Sequence, residues 1–477
     1  MTASPLVAGL LGARGDTPAL RAGAAVFSYG GLRAEVLAGR DWLHRAGIAP
    51  GSRVAVCLPK SPAAVIAILA TLAAGAAYVP LNARLAPAHL ATILADLAPD
   101  LLLATQPAIA ALAELAPPGL RATTGFGAPI ETMPGRAAAV ASPADLACIL
   151  FTSGSTGAPK GIMLSHGNIA CFADWAGGAF ALGADGIVAS HAPFHFDLST
   201  FDIFATFARG ACLHLLDEAD AAFPGAVRRF IADAGITHWY SVPTALMQLQ
   251  ARGALAGLDS LRQVMFAGEV FPAPALRACM DALPGARFAN LFGPTETNVC
   301  TWHALPGPPA DDLAPVPIGL PLPHAEVSLR DGELHVAGPG VMLGYWRQPA
   351  LTEARRADGR ADSYRTGDMA HWQDGVLVFD GRRDQQVKLR GHRIELLGLE
   401  AVLNAHPAVS EAVALVRGDR IAVFLEAHAA PVAETALRAH IAARLPPPYQ
   451  PGSIIWLNAL PRSPNGKADR GALAALG

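Results

Sequence analysis

Lysine is scarce in this chain: Lys60, Lys160, Lys388 and Lys467 are the only four among 36 basic residues. Arginine carries the ordinary surface charge, and three of the lysines, Lys160, Lys388 and Lys467, fall in glycine-containing segments. A compact ammonium and a broad guanidinium are not equivalent against phosphate or a reacting carboxylate, so the scarcity marks these positions for chemistry. Basic runs and arginine stripes are also missing, and the net charge is -3, which argues against a nucleic-acid partner. The six cysteines form no CxxC pair, and most sit in apolar surroundings such as "LACILF", which favours buried thiols over disulfides or a metal cluster and fits a reducing cytoplasm. The start, "MTASPLVAGLLGARGD", lacks the basic n-region and apolar stretch of a signal peptide. The longest apolar run, residues 62–81, is alanine-rich, broken by Thr71 and Gly75, and bounded by Pro62 and Pro80. It reads as a buried helix leading into a strand, and no membrane association is expected.

At 477 residues the chain exceeds the size at which one core keeps growing, so a large body plus a smaller domain is expected. Helical patterns alternate with short β-branched runs: "GLRAEVLAGRDWLHRAG", "SRVAVCLP", the helix from Ser61, "AAYVPL", "AHLATILADLAP" and "DLLLAT". The recurrence predicts an α/β fold with layered, mostly parallel sheets. Ser61 before Pro62 reads as an N-cap with proline at the first helical position. Turn-rich strand sequence from about Ile318 to Leu389 predicts a small barrel, and the tail predicts a compact α+β domain. The boundary at "DGRRDQQ" gives a large domain over 1–383 and a small C-terminal domain over 384–477 that pivots on it.

"FTSGSTGAPKG", residues 151–161, combines Gly154, Gly157 and Gly161 with Thr152, Ser153, Ser155 and Thr156, and carries Lys160 next to its end. Successive amides in such a turn form an anion nest, to which the lysine adds a point charge. A Walker A loop is excluded, because Lys160 follows Pro159 and precedes Gly161 rather than a hydroxyl residue.

The loop resembles the signature of the adenylate-forming superfamily, and seven further segments follow that family's order: "LAAGAAYVPLN", "FHFDLSTFDIF", "NLFGPTETNVCTW", "GELHVAGPGVMLGYW", "YRTGDM", "GRRDQQVKLRGHRIEL" and "LPRSPNGKADRGAL". The details are most similar to amino-acid adenylation domains of nonribosomal peptide synthetases. The resemblance implies activation of a carboxylate by ATP with Mg2+, through an acyl-AMP, followed by transfer to a thiol. It places Lys467, Glu296, Thr295 and His195 among the catalytic residues, with Glu296 on the metal. Nucleotide contacts fall to Thr152, Ser153, Gly154, Ser155, Thr156, Gly157, Lys160, Phe292, Asp368 and Arg382. Asp384 takes the hinge position, and Gly391 the tunnel for the thiol. Two anions meet when the carboxylate attacks phosphorus, which is the physical reason for a lysine at position 467.

Asp197 corresponds to the aspartate that pairs with a substrate amino group; a helix N-cap is the bland alternative. The same resemblance assigns the side-chain pocket to Asp197, Leu198, Phe201, Tyr240, Met265, Ala267, Leu291, Val299 and Cys300, closed by Lys467. With no other charge in the set, a charged substrate side chain would lie unpaired, so a small apolar amino acid is expected. The string is similar to that of freestanding prolyl adenylation enzymes of pyrrole-forming pathways. L-proline is then the expected substrate, and a separate phosphopantetheinylated peptidyl carrier protein the acceptor. Alanine, valine and β-amino acids differ too little in size to be separated by pocket physics, and a small-acid acyl-CoA ligase is the alternative within enzymes.

Overall fold

The computed structural model describes residues 4–12, 15–134, 142, 145–152, 159–309, 315–383, 386–462 and 468–476. The chain divides into two compact units, the first comprising residues 1–83, 97–151 and 161–383, the second 84–96, 152–160 and 384–477.

A nine-stranded sheet runs, edge to edge, through Leu320–Pro321, Thr301–Leu305, Arg287–Phe292, Gln263–Ala267, His238–Ser241, Ile187–Ser190, Cys212–Leu215, Pro18–Ala22 and Ala25–Ser28. Its six inner strands are parallel, and antiparallel pairs close both edges. An eight-stranded sheet runs through Gly344–Tyr345, Lys160–Ser165, Leu146–Thr152, Ala77–Pro80, Arg53–Cys57, Leu101–Ala104, Arg121–Thr123 and Glu131–Thr132. Parallel strands need helical crossovers that cover both faces, which is why "RVAVC" at Arg53–Cys57 is buried at every position and reads as a continuous run. The helix Pro62–Ala73 is buried along almost its whole length for the same reason. Where the sequence predicts a small barrel, four antiparallel strands, Glu326–Arg330, Glu333–Ala337, Ser363–Gln373 and Val376–Arg382, form a curled half-barrel. Bulges between Glu333 and His335 and between Met369 and Ala370 bend its strands.

In the second unit, Val409–Arg417 pairs antiparallel with Arg420–Ala427, which pairs parallel with Ser453–Leu457. Leu399, Leu403, Leu437 and Ile441, from the helices Leu396–Asn404 and Glu434–Ala442, join Val423 and Leu425 in one core. The hairpin Gln386–Leu389/His392–Glu395 turns at Arg390 and Gly391, both with positive φ (52° and 78°). A two-residue turn of this hand matches the strand twist, and its second position suits glycine.

No helix among the described residues is long and apolar enough to cross a membrane. Ser61 does cap its helix, its Oγ accepting from Ala64 N at 3.3 Å, with Pro62 opening the first turn. Ser61→Ala is therefore expected to lower stability by about 1 kcal/mol, read from the urea midpoint at unchanged slope.

Candidate active site

Three adjacent parallel strands build one wall. Register places Tyr240 beside Met265, Met265 beside Ala289, and Ala267 beside Leu291. Side chains at alternate positions share a face, so Tyr240, Met265, Ala267 and Leu291 enter the same buried cluster, joined by Leu198, Phe201, Val299 and Cys300. The Phe201 and Tyr240 rings meet edge to face with centroids 5.7 Å apart. Burial pushes the Tyr240 phenol pKa well up, with the Asp197 and Asp202 carboxylates adding to the shift. Every expected apolar pocket residue is thus brought together.

Asp197 does not cap a helix. Its carboxylate Oδ2 accepts from Thr295 Oγ1 at 2.6 Å, while its main-chain carbonyl accepts from Thr200 N and Thr200 Oγ1. The following helical turn, Phe201–Ala205, is a π-helix that begins at Thr200 without a side-chain cap. Thr295, expected among the catalytic residues, here donates to the aspartate. Its loop folds back so tightly that a Cβ at Gly293 would lie 1.8 Å from Asn298 O, leaving glycine as the residue that fits.

Glu296 is 1 % exposed, and its Oε1 accepts from Tyr345 Oη at 2.8 Å and from Tyr364 Oη at 3.0 Å. The two phenols are themselves 3.0 Å apart. Both tyrosines lie within quoted segments, "GELHVAGPGVMLGYW" and "YRTGDM", yet nothing in their spacing announces that they converge on one carboxylate. Asp368 and Arg382 face each other across paired strands, with Arg382 Nη1 2.5 Å from Asp368 Oδ1 and Arg382 Nη2 donating to Thr366 O. The bulge between Met369 and Ala370 shifts the register next to this pair. Phe292, half-buried at the end of its strand, meets the Phe379 ring at a tilt, with centroids 5.6 Å apart. His195 packs against Phe196 at 5.0 Å.

Of the glycine-rich loop, Ser153, Gly154, Ser155, Thr156 and Gly157 lie outside the described residues, as do Asp384 and Lys467. Thr152 ends one strand and Lys160 begins the next. Gly161 belongs to that strand rather than to an anion turn, and is required by packing: a Cβ there would meet Ile149 Cγ2 at 2.9 Å and Trp346 Cβ at 3.0 Å. Within the second unit, Lys160 Nζ lies 3.5 Å from Glu395 Oε1, and Lys388 pairs with Arg393 in the hairpin that turns at Gly391.

Residues 11–346 match the AMP-binding enzyme family, and residues 398–467 match the AMP-binding enzyme C-terminal domain. The chain is 39% identical to an L-proline--[L-prolyl-carrier protein] ligase of Streptomyces coelicolor, over 93% of this chain and 90% of that protein. It is also 39% identical to an L-proline--[L-prolyl-carrier protein] ligase of Pseudomonas fluorescens, over 90% of each. Among solved structures, it resembles the Vibrio cholerae adenylation domain AlmE in complex with glycyl-adenosine-5'-phosphate, with TM-score 0.86 and 25% identity over 99% of this chain and 98% of that one.

A phenol donating to a buried carboxylate contributes about 1–3 kcal/mol, so Tyr345→Phe and Tyr364→Phe should each lower unfolding free energy by roughly that amount in guanidinium titrations. The double variant should lose less than the sum, because the two hydroxyls also bond to each other.

Proposed function

The chain belongs to the AMP-binding enzyme family, and from that premise we propose that it activates L-proline with ATP to prolyl-AMP and transfers the prolyl group to the phosphopantetheine thiol of a separate carrier protein. The coarser activity, ATP-dependent adenylation of an acid and its passage to a carrier-protein thiol, follows from the family and its relatives. One observation carries the choice of an amino acid. The Asp197 carboxylate stands beside an apolar wall, with a threonine hydroxyl as its side-chain partner and no cationic partner among the described residues. A partly buried carboxylate of this kind is stabilised by a ligand ammonium, and the surrounding Phe201, Tyr240 and Met265 leave room for a compact apolar side chain. The names of the two relatives support proline.

In this reading Asp197 holds the substrate amine and thereby aims its carboxylate at the α-phosphorus. Phe292 packs on adenine, Asp368 accepts from the ribose hydroxyls with Arg382 fixing its orientation, and the 152–157 loop and Lys160 hold phosphate oxygens. His195 completes the catalytic set beside Asp197. Lys467 neutralises the charge that gathers as the acyl–phosphate bond forms and pyrophosphate leaves, a role worth two or more orders of magnitude in rate for a donor of this kind. Magnesium fits the donors at Glu296: a hard cation takes one or two protein carboxylates and completes its shell with phosphate and water oxygens. When bound, it would neutralise phosphate charge, and the two phenols would keep Glu296 directed at it. Asp384 serves as the hinge between half-reactions and the Gly391 turn lines the thiol path.

Exchange of labelled pyrophosphate into ATP should be strongest with L-proline, weaker with alanine and valine, and negligible with carboxylic acids that lack an amine. Exchange supported only by amine-free acids would replace this reading with a small-acid acyl-CoA ligase. Asp197→Asn should raise KM for the amino acid about 10–100-fold with little change for ATP, and Lys467→Ala should reduce exchange by roughly 10²-fold or more.

A further inference from the structure

Lys60 is a scarce lysine to which the proposed adenylation chemistry gives no role. It precedes the Ser61 cap, and its Nζ donates to Ser190 O at 2.9 Å and His191 O at 2.7 Å, with the Phe194 ring centroid 5.9 Å away. Burial pulls its pKa down to about 8, while Asp202, Glu218 and Asp217 pull the other way. Asp202 is fully buried on the π-helix, one residue beyond Phe201, and neither carboxylate oxygen has a hydrogen-bond partner among the described residues. Burial pushes its pKa up to about 8, and the Lys60 ammonium is the main influence pulling the other way. The ammonium therefore binds the chain where the Ile187–Ser190 strand ends and acts electrostatically on the carboxyl group near the start of the π-helix.

Between these two points runs the segment 191–201, which contains His195, Asp197, Leu198 and Phe201. Lys60 and His195 also line one small cavity, with Asn82, Phe194 and Glu218, whose volume of about 20 Å³ holds little more than a water. An isolated charge pair in such surroundings is a weak source of stability, since desolvation offsets most of the Coulomb attraction; its best-attested use is to specify one arrangement of the chain. Single π-turns are likewise frequent at functional sites.

We propose that Lys60 is a positioning residue for recognition of the acid: one ammonium secures both ends of the 191–201 segment and so sets where the Asp197 carboxylate and the Phe201 ring stand. The inference rests on the reading of Asp197 and Phe201 as pocket residues. Asp202 is the second half of the device, since removing either charge releases one end.

The test uses the full chain and whichever acid the wild-type protein activates in pyrophosphate exchange, so failure of the amino-acid reading shows in the wild type and failure of this inference only in the variants. Lys60→Met should raise KM for the acid at least ~10-fold and leave KM for ATP within ~2-fold. Lys60→Met combined with Asp202→Asn removes the unpaired buried charge, and should recover the unfolding midpoint toward wild type without recovering KM for the acid. A merely structural role predicts the opposite: recovery of both together, or KM values for acid and ATP rising in parallel, and either result would overturn the proposal. If Lys60→Met does not fold, Asp202→Asn alone decides, because it keeps both carbonyl contacts and loses one end. A rise of at least ~3-fold in KM for the acid alone supports the assignment, and an unchanged value rejects it.

Discussion

The hydrogen bond from Thr295 Oγ1 to Asp197 Oδ2, 2.6 Å long, joins loops 98 positions apart and holds a carboxylate next to an apolar wall. A carboxylate withdrawn from water must find donors or give up its charge, so the surrounding chain is arranged to supply them. The Gly293 loop approaches its own backbone too closely for any side chain, and that closeness delivers Thr295. On the far side of the same loop, Asn298 Nδ2 donates to Thr200 Oγ1 at 3.3 Å, and that hydroxyl donates to the Asp197 carbonyl. Main chain and side chain of one aspartate are thus fixed by residues of two loops.

The same requirement recurs at each acidic group near the wall, with a different solution each time. Glu296 receives two phenols, Asp368 receives the guanidinium opposite it in the sheet, and Asp202 has only the electrostatic influence of the Lys60 ammonium. The difference is physical. Neutral phenols orient a carboxylate while leaving its charge available to a cation, whereas an arginine consumes much of that charge in a rigid fork. In the proposed function this is what fits Glu296 to magnesium and Asp368 to accepting from sugar hydroxyls. Parallel strands supply what the loops cannot, an apolar surface whose position is set by register rather than by side-chain choice.

Much of this was legible from the sequence because it depends on local chemistry. Alternation of helical and β-branched runs identified the layered parallel sheets, Ser61–Pro62 marked a helix start, and the ordered segments from "FTSGSTGAPKG" to "SPNGKADR" pointed to adenylation. The apolar residues expected to line the pocket share one buried cluster, with Tyr240, Met265, Ala267 and Leu291 on consecutive parallel strands. Other residues have neighbours that the sequence does not announce: Gly161 packs against Ile149 and Trp346, and Thr295 donates to Asp197.

Covalent order alone determined which residue types were present and which short stretches were helix, strand or turn, because backbone propensity and periodicity act over a few residues. Tertiary structure decided the pairings. Tyr345 and Tyr364 meet on Glu296, and Lys60 reaches the carbonyls of Ser190 and His191, across separations of 49, 68, 130 and 131 positions. Contacts at such range leave no periodic trace in the chain; only burial, which makes each unpaired charge costly, selects the partner that satisfies it.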